Sequence, residues 1–172
     1  MARISTLIDE ARIAARVREL GARIRADAGD APITLVGVLK GSFLFLADLA
    51  RAIEGPVTIE FLGVSSYHGG THSTGAVQLT QDLRAPILGR YVVVVEDIVD
   101  TGLTLDYLLR MLRARDPGQL RVATLLDKPS RRQLPVEADY VGFTIPDVFV
   151  IGYGLDLDEF ERNLPYVAVV EP

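Results

Sequence analysis

Apolar residues follow two rhythms along this chain. Short dense runs alternate with stretches in which leucine, isoleucine and valine recur every three or four positions. The runs predict strands and the periodic stretches predict amphipathic helices. The clearest run is Tyr91 to Val95, where four consecutive valines read as a strand buried on both faces, as in a parallel sheet. It stops at Glu96 and Asp97, which predicts a site opening at that strand's C-terminal end. Beyond Asp100, Thr101, Gly102, Leu103 and Thr104, leucines at 105, 108, 109 and 112 fall at helical spacing.

The same reading predicts a helix over 7–26, with Leu7, Ile8, Ile13, Val17, Leu20 and Ile24 on its apolar face. A strand follows over Ile33–Leu39, then a helix over 42–53 with Phe43, Leu46, Leu49 and Ala50 inward. Further strands are expected at 57–65, 120–126 and 140–143. Strands alternating with helices define an α/β fold with a parallel sheet and a site at the strands' C-terminal ends. Residues 66–75 are polar and glycine-rich with no apolar period, so they read as a hairpin excursion or a mobile lid.

Composition narrows the classes. The 172 residues suit one domain spanning 1–172, with no linker, repeat or low-complexity segment, and 49% hydrophobic content fits a packed core. Eighteen basic and 23 acidic residues give a net charge of −5, which argues against general nucleic-acid binding. A local basic patch within 110–132 (Arg110, Arg113, Arg115, Arg121, Lys128, Arg131, Arg132) competes with a solvated helix face. The absence of cysteine removes disulfides, thiolate metal sites and a cysteine nucleophile. Apolar stretches break within about ten residues, short of a membrane span, and the start lacks a secretory pattern because Asp9 and Glu10 interrupt it. A cytoplasmic protein with no membrane partner is expected.

The order strand, acidic turn, helix has chemical meaning. Backbone N–H groups at a helix N-terminus are unpaired and sit at the positive end of the helix dipole, so a glycine turn there cradles phosphate. Thr101 and Thr104 add hydroxyl donors, although capping the helix would use the same geometry. Glu96 and Asp97 fit beside a phosphate only if they accept from sugar hydroxyls or face a divalent cation. Phosphate, hydroxyls and a cation together point to a phosphorylated ribose. His68 and His72, four apart with no partner ligand, do not make a metal site.

The stretch Val92 to Leu105, with Glu96-Asp97-Ile98-Val99-Asp100-Thr101-Gly102, resembles the phosphoribosyl-pyrophosphate motif of the type I phosphoribosyltransferases, in the version of the hypoxanthine-guanine enzymes. Leu39-Lys40-Gly41-Ser42, Leu126-Asp127-Lys128-Pro129-Ser130-Arg131-Arg132 and Ile145-Pro146-Asp147-Val148-Phe149-Val150-Ile151-Gly152-Tyr153-Gly154-Leu155-Asp156 agree with it in order and spacing. The resemblance implies a parallel-sheet fold with a small C-terminal hood and a lid in which Ser66 and Tyr67 close over the site. It also implies transfer of the phosphoribosyl group to hypoxanthine or guanine with Mg²⁺. Asp100 is then the general base toward purine N7, and Asp100 to Thr104, including Gly102 and Leu103, wrap the 5′-phosphate. Glu96 and Asp97 receive the ribose hydroxyls, and Lys40, Gly41 and Arg162 receive pyrophosphate. Lys128 donates to the purine O6, Phe149 stacks, Val150 offers backbone groups, and Arg132 pairs with Asp100 or a phosphate. Asp156 holds the metal and lies by the purine, with Glu96 and Asp97 as further metal ligands; a solvated acidic turn with Asp158 and Glu159 is the rival for Asp156. In relatives the peptide before the residue matching Lys40 can be cis, and the chains form dimers or tetramers.

Two positions depart from the pattern: Leu103 stands where some relatives carry lysine, and Leu157 where many carry tyrosine. Xanthine or uracil as the base, and an RNA-binding regulator that senses phosphoribosyl pyrophosphate, are the competing readings. Without the resemblance, Phe149 and Val150 read as strand core.

Overall fold

A computed structural model describes residues 3–66 and 77–171. Six strands form the main sheet in the order β4 (Val77–Gln81), β3 (Val57–Ser66), β2 (Ile33–Leu39), β5 (Tyr91–Val99), β6 (Gln119–Asp127) and β7 (Tyr140–Thr144). All neighbours run parallel except β4, which pairs antiparallel with β3 at the edge. That edge strand carries Gln78, Thr80 and Gln81 among its five residues, too polar to register as a hydrophobic run.

Val92 to Val95 show how a strand buried on both faces divides its side chains. Val93 and Val95 pack with α1 (Glu10–Ala28) and α2 (Phe43–Ala52), whereas Val92 and Val94 pack with α3 (Leu103–Arg113). All four are fully buried, which contributes roughly 6–12 kcal/mol of transfer free energy to holding this strand at the centre. Ile13, Val17, Leu20 and Ile24 cover one face, and Leu105, Leu108, Leu109 and Leu112 the other.

The first predicted helix is corrected at its start. Residues Arg3–Ile8 form a strand, β1, and α1 begins only at Glu10. Asp9 is the reason: its carboxylate accepts the Arg12 N–H at 2.8 Å and caps the helix. In α2 the inward aromatic is Phe45, fully buried, while Phe43 is exposed.

β1 pairs with β9 (Val167–Glu171), which pairs with β8 (Val150–Ile151), in a separate antiparallel sheet. The expected hood is therefore built from both ends of the chain. Ser66 ends β3, and Tyr67, His68 and His72 lie outside the described residues, as does the expected lid over 66–75 beyond Ser66.

Candidate active site

Parallel registry sets three strand ends side by side. Val95 is level with Gly37 of β2 and Ala123 of β6, and Val99 with Asp127, so the segments leaving β2, β5 and β6 emerge together at one sheet edge. β5 does not stop at its acids, as the sequence suggested; it runs on to Val99, so Glu96 and Asp97 are strand residues inside the sheet.

That placement decides their electrostatics. Burial pushes the Glu96 carboxyl well above the usual carboxylate range, and the Asp97 charge adds to the effect. Burial also pushes Asp97 up to about 6, opposed by its bond from the Ile98 N–H at 2.8 Å and by Arg162, and reinforced by Asp156. Neither acid makes an ion pair within 4.0 Å among the described residues. A glycine must stand beside Asp97: a Cβ on Gly41 would lie 1.7 Å from Asp97 Oδ2. One residue earlier, the Leu39–Lys40 peptide is cis.

The turn after β5 lines a concavity of about 90 Å³ with Glu96, Asp100, Thr101, Gly102 and Thr104, far below the ~300 Å³ of an organic-ligand cleft and suited to a small polar group. Gly102 takes φ +86 as the N-cap of α3 and supplies no capping side chain, so the first-turn N–H groups other than that of Leu103 keep their anion-binding character. Asp100 is thus not the helix cap. Thr101 Oγ1 accepts from the Leu103 N–H at 3.3 Å, which leaves its own hydrogen free to donate outward. The segment after β6 braces the turn, because Gln133 N–H donates to Thr101 O at 2.8 Å and Lys128 N–H to Val99 O at 2.9 Å.

Arg131, not Arg132, meets Asp100: Nε lies 3.1 Å from Oδ1. Arg132 instead pairs with Asp127, and its stem lies under Gly102, where a Cβ would meet Arg132 Cδ at 3.1 Å. Lys128 is buried, with Nζ 3.9 Å from Asp147 Oδ1, while Arg131 reaches the other Asp147 oxygen at 3.7 Å. Arg131 and Asp147 went unassigned in the sequence reading, although both lie inside the quoted motifs; their partners are set by folding rather than spacing. Val150 is buried in β8, as a core residue should be, but Phe149 is 54% exposed, more than packing alone explains.

Gly154 packs so closely on the β2 end that a Cβ there would lie 2.0 Å from Gly41 O. Arg162 Nη1 donates to Gly154 O at 2.7 Å, and Nη2 sits 3.0 Å from Asp156 Oδ1. Arg162 Nε is buried and has no acceptor among the described residues. Lys40 Nζ pairs with Glu159 at 2.6 Å. A cleft of about 410 Å³ runs between them, lined by Leu39, Lys40, Gly63, Gln81, Glu159 and Arg162. No group of three or more histidine or carboxylate side chains among the described residues is gathered to hold a metal alone.

An anion turn and a basic cleft flanking buried acids at the carboxyl edge of a parallel sheet define a nucleotide-handling α/β protein. The sequence model described as phosphoribosyl transferase domain matches residues 4–158. A hypoxanthine-guanine phosphoribosyltransferase of Staphylococcus epidermidis is 48% identical over 97% of this chain and 93% of its own. Among solved structures, a hypoxanthine phosphoribosyltransferase from Staphylococcus aureus superposes with TM-score 0.93 at 46% identity, over 98% of this chain and 91% of its own. A hypoxanthine-guanine phosphoribosyltransferase from Bacillus anthracis gives TM-score 0.93 at 46% identity over 99% of both chains. The chain belongs to the phosphoribosyltransferase family.

Proposed function

We propose that the protein transfers the 5-phosphoribosyl group of 5-phosphoribosyl 1-pyrophosphate to hypoxanthine and guanine, forming IMP or GMP and releasing pyrophosphate, as a step of purine salvage. The observation that carries this reading is the buried Lys128 at the end of β6, one strand from the Asp100–Thr104 turn. An ammonium has three donors and no acceptor, so beside a bound phosphoribosyl group it selects a base with an oxo group over one with an amino group.

Each residue then has a task. The turn from Asp100 to Thr104 holds the 5′-phosphate through the Gly102 and Thr104 N–H groups, the Leu103 N–H once it leaves Thr101 Oγ1, and the two threonine hydroxyls. Glu96 and Asp97 accept from the ribose hydroxyls. Asp100, steadied by Arg131, takes the proton from purine N7 as the N9–C1′ bond forms. Phe149 stacks on the ring and Val150 offers main-chain groups to its edge. Lys40, Gly41 and Arg162 face the departing pyrophosphate, and the unpaired Arg162 Nε suits a phosphate oxygen.

Mg²⁺ fits this donor set. Asp97 and Asp156 lie close enough that the Asp156 charge raises the proton affinity of Asp97, and Mg²⁺ takes one or two carboxylates with the rest of its shell from water and phosphates. Asp156, with Asp97 and Glu96 behind it, would hold an ion that neutralises the leaving pyrophosphate.

Pairing of β1 with β9 joins the chain's two ends and supports residues 1–172 as a single domain. No helix of the described residues is long and apolar enough to cross a membrane, in keeping with a cytoplasmic enzyme. A homodimer or homotetramer is the expected assembly, which light scattering measures.

The test is pyrophosphate release from phosphoribosyl pyrophosphate and Mg²⁺ with hypoxanthine, guanine, xanthine, adenine and uracil in parallel. Turnover confined to hypoxanthine and guanine supports the reading. Turnover with adenine would overturn the Lys128 pocket, turnover with xanthine or uracil would overturn the assignment of the base to hypoxanthine and guanine, and binding without turnover on any base would overturn the enzyme.

A further inference from the structure

Lys40 and Arg162 come from distant parts of the chain and end on one carboxylate. Lys40 Nζ is 2.6 Å from Glu159 Oε2, and Arg162 Nη2 is 3.2 Å from Glu159 Oε1. Each oxygen of Glu159 thus takes one cation, in the manner of a bridging diphosphate, and the three side chains line the same cleft of about 410 Å³. The carboxylate is held over the cleft by its own backbone, whose N–H donates to Asp156 Oδ2 at 2.9 Å. Glu159 is 63% exposed, so neither packing nor core stability accounts for its position.

We propose that Glu159 is an internal placeholder for pyrophosphate: it occupies Lys40 and Arg162 in the free enzyme and must leave them before the diphosphate can bind. The inference rests on reading those two cations as the pyrophosphate ligands. A diphosphate brings more charge and more oxygens than one carboxylate, so it wins the exchange, but by less than it would against water. Glu159 therefore weakens the hold on pyrophosphate and speeds its departure. It is a positioning residue and touches no reacting atom.

The sign of the effect separates this role from others. A residue that binds the ligand, or supports the fold, loses affinity when neutralised; a placeholder gains it. Titration calorimetry of pyrophosphate with Mg²⁺ into the full chain reads this directly. Glu159→Gln should bind about three- to tenfold tighter, the scale of one or two exposed ion pairs. Asp158→Asn, one residue away and outside the ion pairs, should leave binding unchanged. In a Lys40→Met background the gain from Glu159→Gln should shrink, because one of its two cations is gone.

Unchanged or weaker binding in Glu159→Gln overturns the proposal, as does an equal gain in Asp158→Asn, which would signal bulk charge alone. If Lys40→Met leaves pyrophosphate binding unaltered, the assignment of the anion site fails and the placeholder with it. If Lys40→Met weakens binding while Glu159→Gln changes nothing, the anion site stands and only the placeholder falls.

Discussion

Replacing Asp97 by asparagine removes a charge that the fold disfavours. Burial moves the Asp97 carboxyl from 3.8 to about 6, and each unit is worth about 1.4 kcal/mol, so ionising it in the native state costs roughly 3 kcal/mol more than in the unfolded chain. The sign follows from proton binding. The native state holds the proton more tightly, so the stability from this group is complete below about pH 3.8, is lost as pH rises through about 6, and stays lost at neutrality. Asparagine resembles the protonated acid and carries no such loss, and its carbonyl can keep the 2.8 Å bond from the Ile98 N–H. Glu96 titrates in both proteins, but its proton affinity rests partly on the Asp97 charge, so the variant relieves it too. Urea unfolding followed by circular dichroism, in chelator and without ligand, should show the variant gaining about 3 kcal/mol on the wild type between about pH 4 and pH 7. In melting temperature that is about 6–12 °C for a chain of this size. Phosphoribosyl-pyrophosphate affinity should fall at the same time, since the ribose hydroxyls lose a charged acceptor. A stability difference that stays flat with pH, or shrinks as pH rises, would refute the burial argument.

Asp100→Asn should lower turnover by about 10²- to 10⁴-fold with phosphoribosyl-pyrophosphate binding nearly unchanged, measured by steady-state kinetics and calorimetry; unaltered turnover removes Asp100 as the base. Phe149→Ala should leave stability within about 0.5 kcal/mol, because the ring is 54% exposed, yet raise the KM for purine about tenfold if it stacks on the base. Gly102→Ala forces a side chain into φ +86 and against Arg132 Cδ at 3.1 Å, so it should cost about 1–2 kcal/mol in denaturant unfolding and weaken phosphoribosyl-pyrophosphate binding.

Where local pattern and tertiary demand coincide, the chain could be read directly. Ile33–Leu39 and the helix carrying Leu105, Leu108 and Leu112 are found where periodicity put them, because each buries a continuous apolar surface. The first strand could not be separated from the following helix, since Leu7 and Ile8 continue its apolar rhythm and only the Asp9 cap divides them. Strand β4 escaped because an edge strand needs few apolar residues, and only Val77 and Leu79 of its five are apolar. For the site, residue types and order pointed to phosphate and sugar, and the base followed only from the family resemblance; pairings between distant segments were invisible. Arg131 and Arg132 are adjacent, and only the turn after Lys128 directs the first to Asp100 and the second to Asp127. The exposure of Phe149 beside a buried Val150 was equally hidden, since a short hydrophobic run reads as core in either case.

The two halves of the candidate site are linked by two close approaches to glycine, one from the Asp97 carboxylate and one from backbone. A Cβ on Gly41 would lie 1.7 Å from Asp97 Oδ2, and one on Gly154 would lie 2.0 Å from Gly41 O. The Asp97 side chain therefore rests directly on Gly41 at the end of β2, and Gly41 in turn rests on Gly154 of the loop carrying Asp156 and Arg162. The acid pair sits in the C-terminal half of the interior strand β5, so these contacts transmit its position to Arg162 and Asp156, both otherwise on irregular chain near the surface. Arg162 then secures the loop from within, through Nη1 to Gly154 O at 2.7 Å and the Gly154 N–H back to Arg162 O at 2.9 Å. A phosphoribosyl donor with groups at both ends of its ribose needs those ends read at a fixed separation. On the proposed reading that separation is set by β5 and two glycines, so bulk at position 41 or 154 should disturb pyrophosphate and ribose binding together.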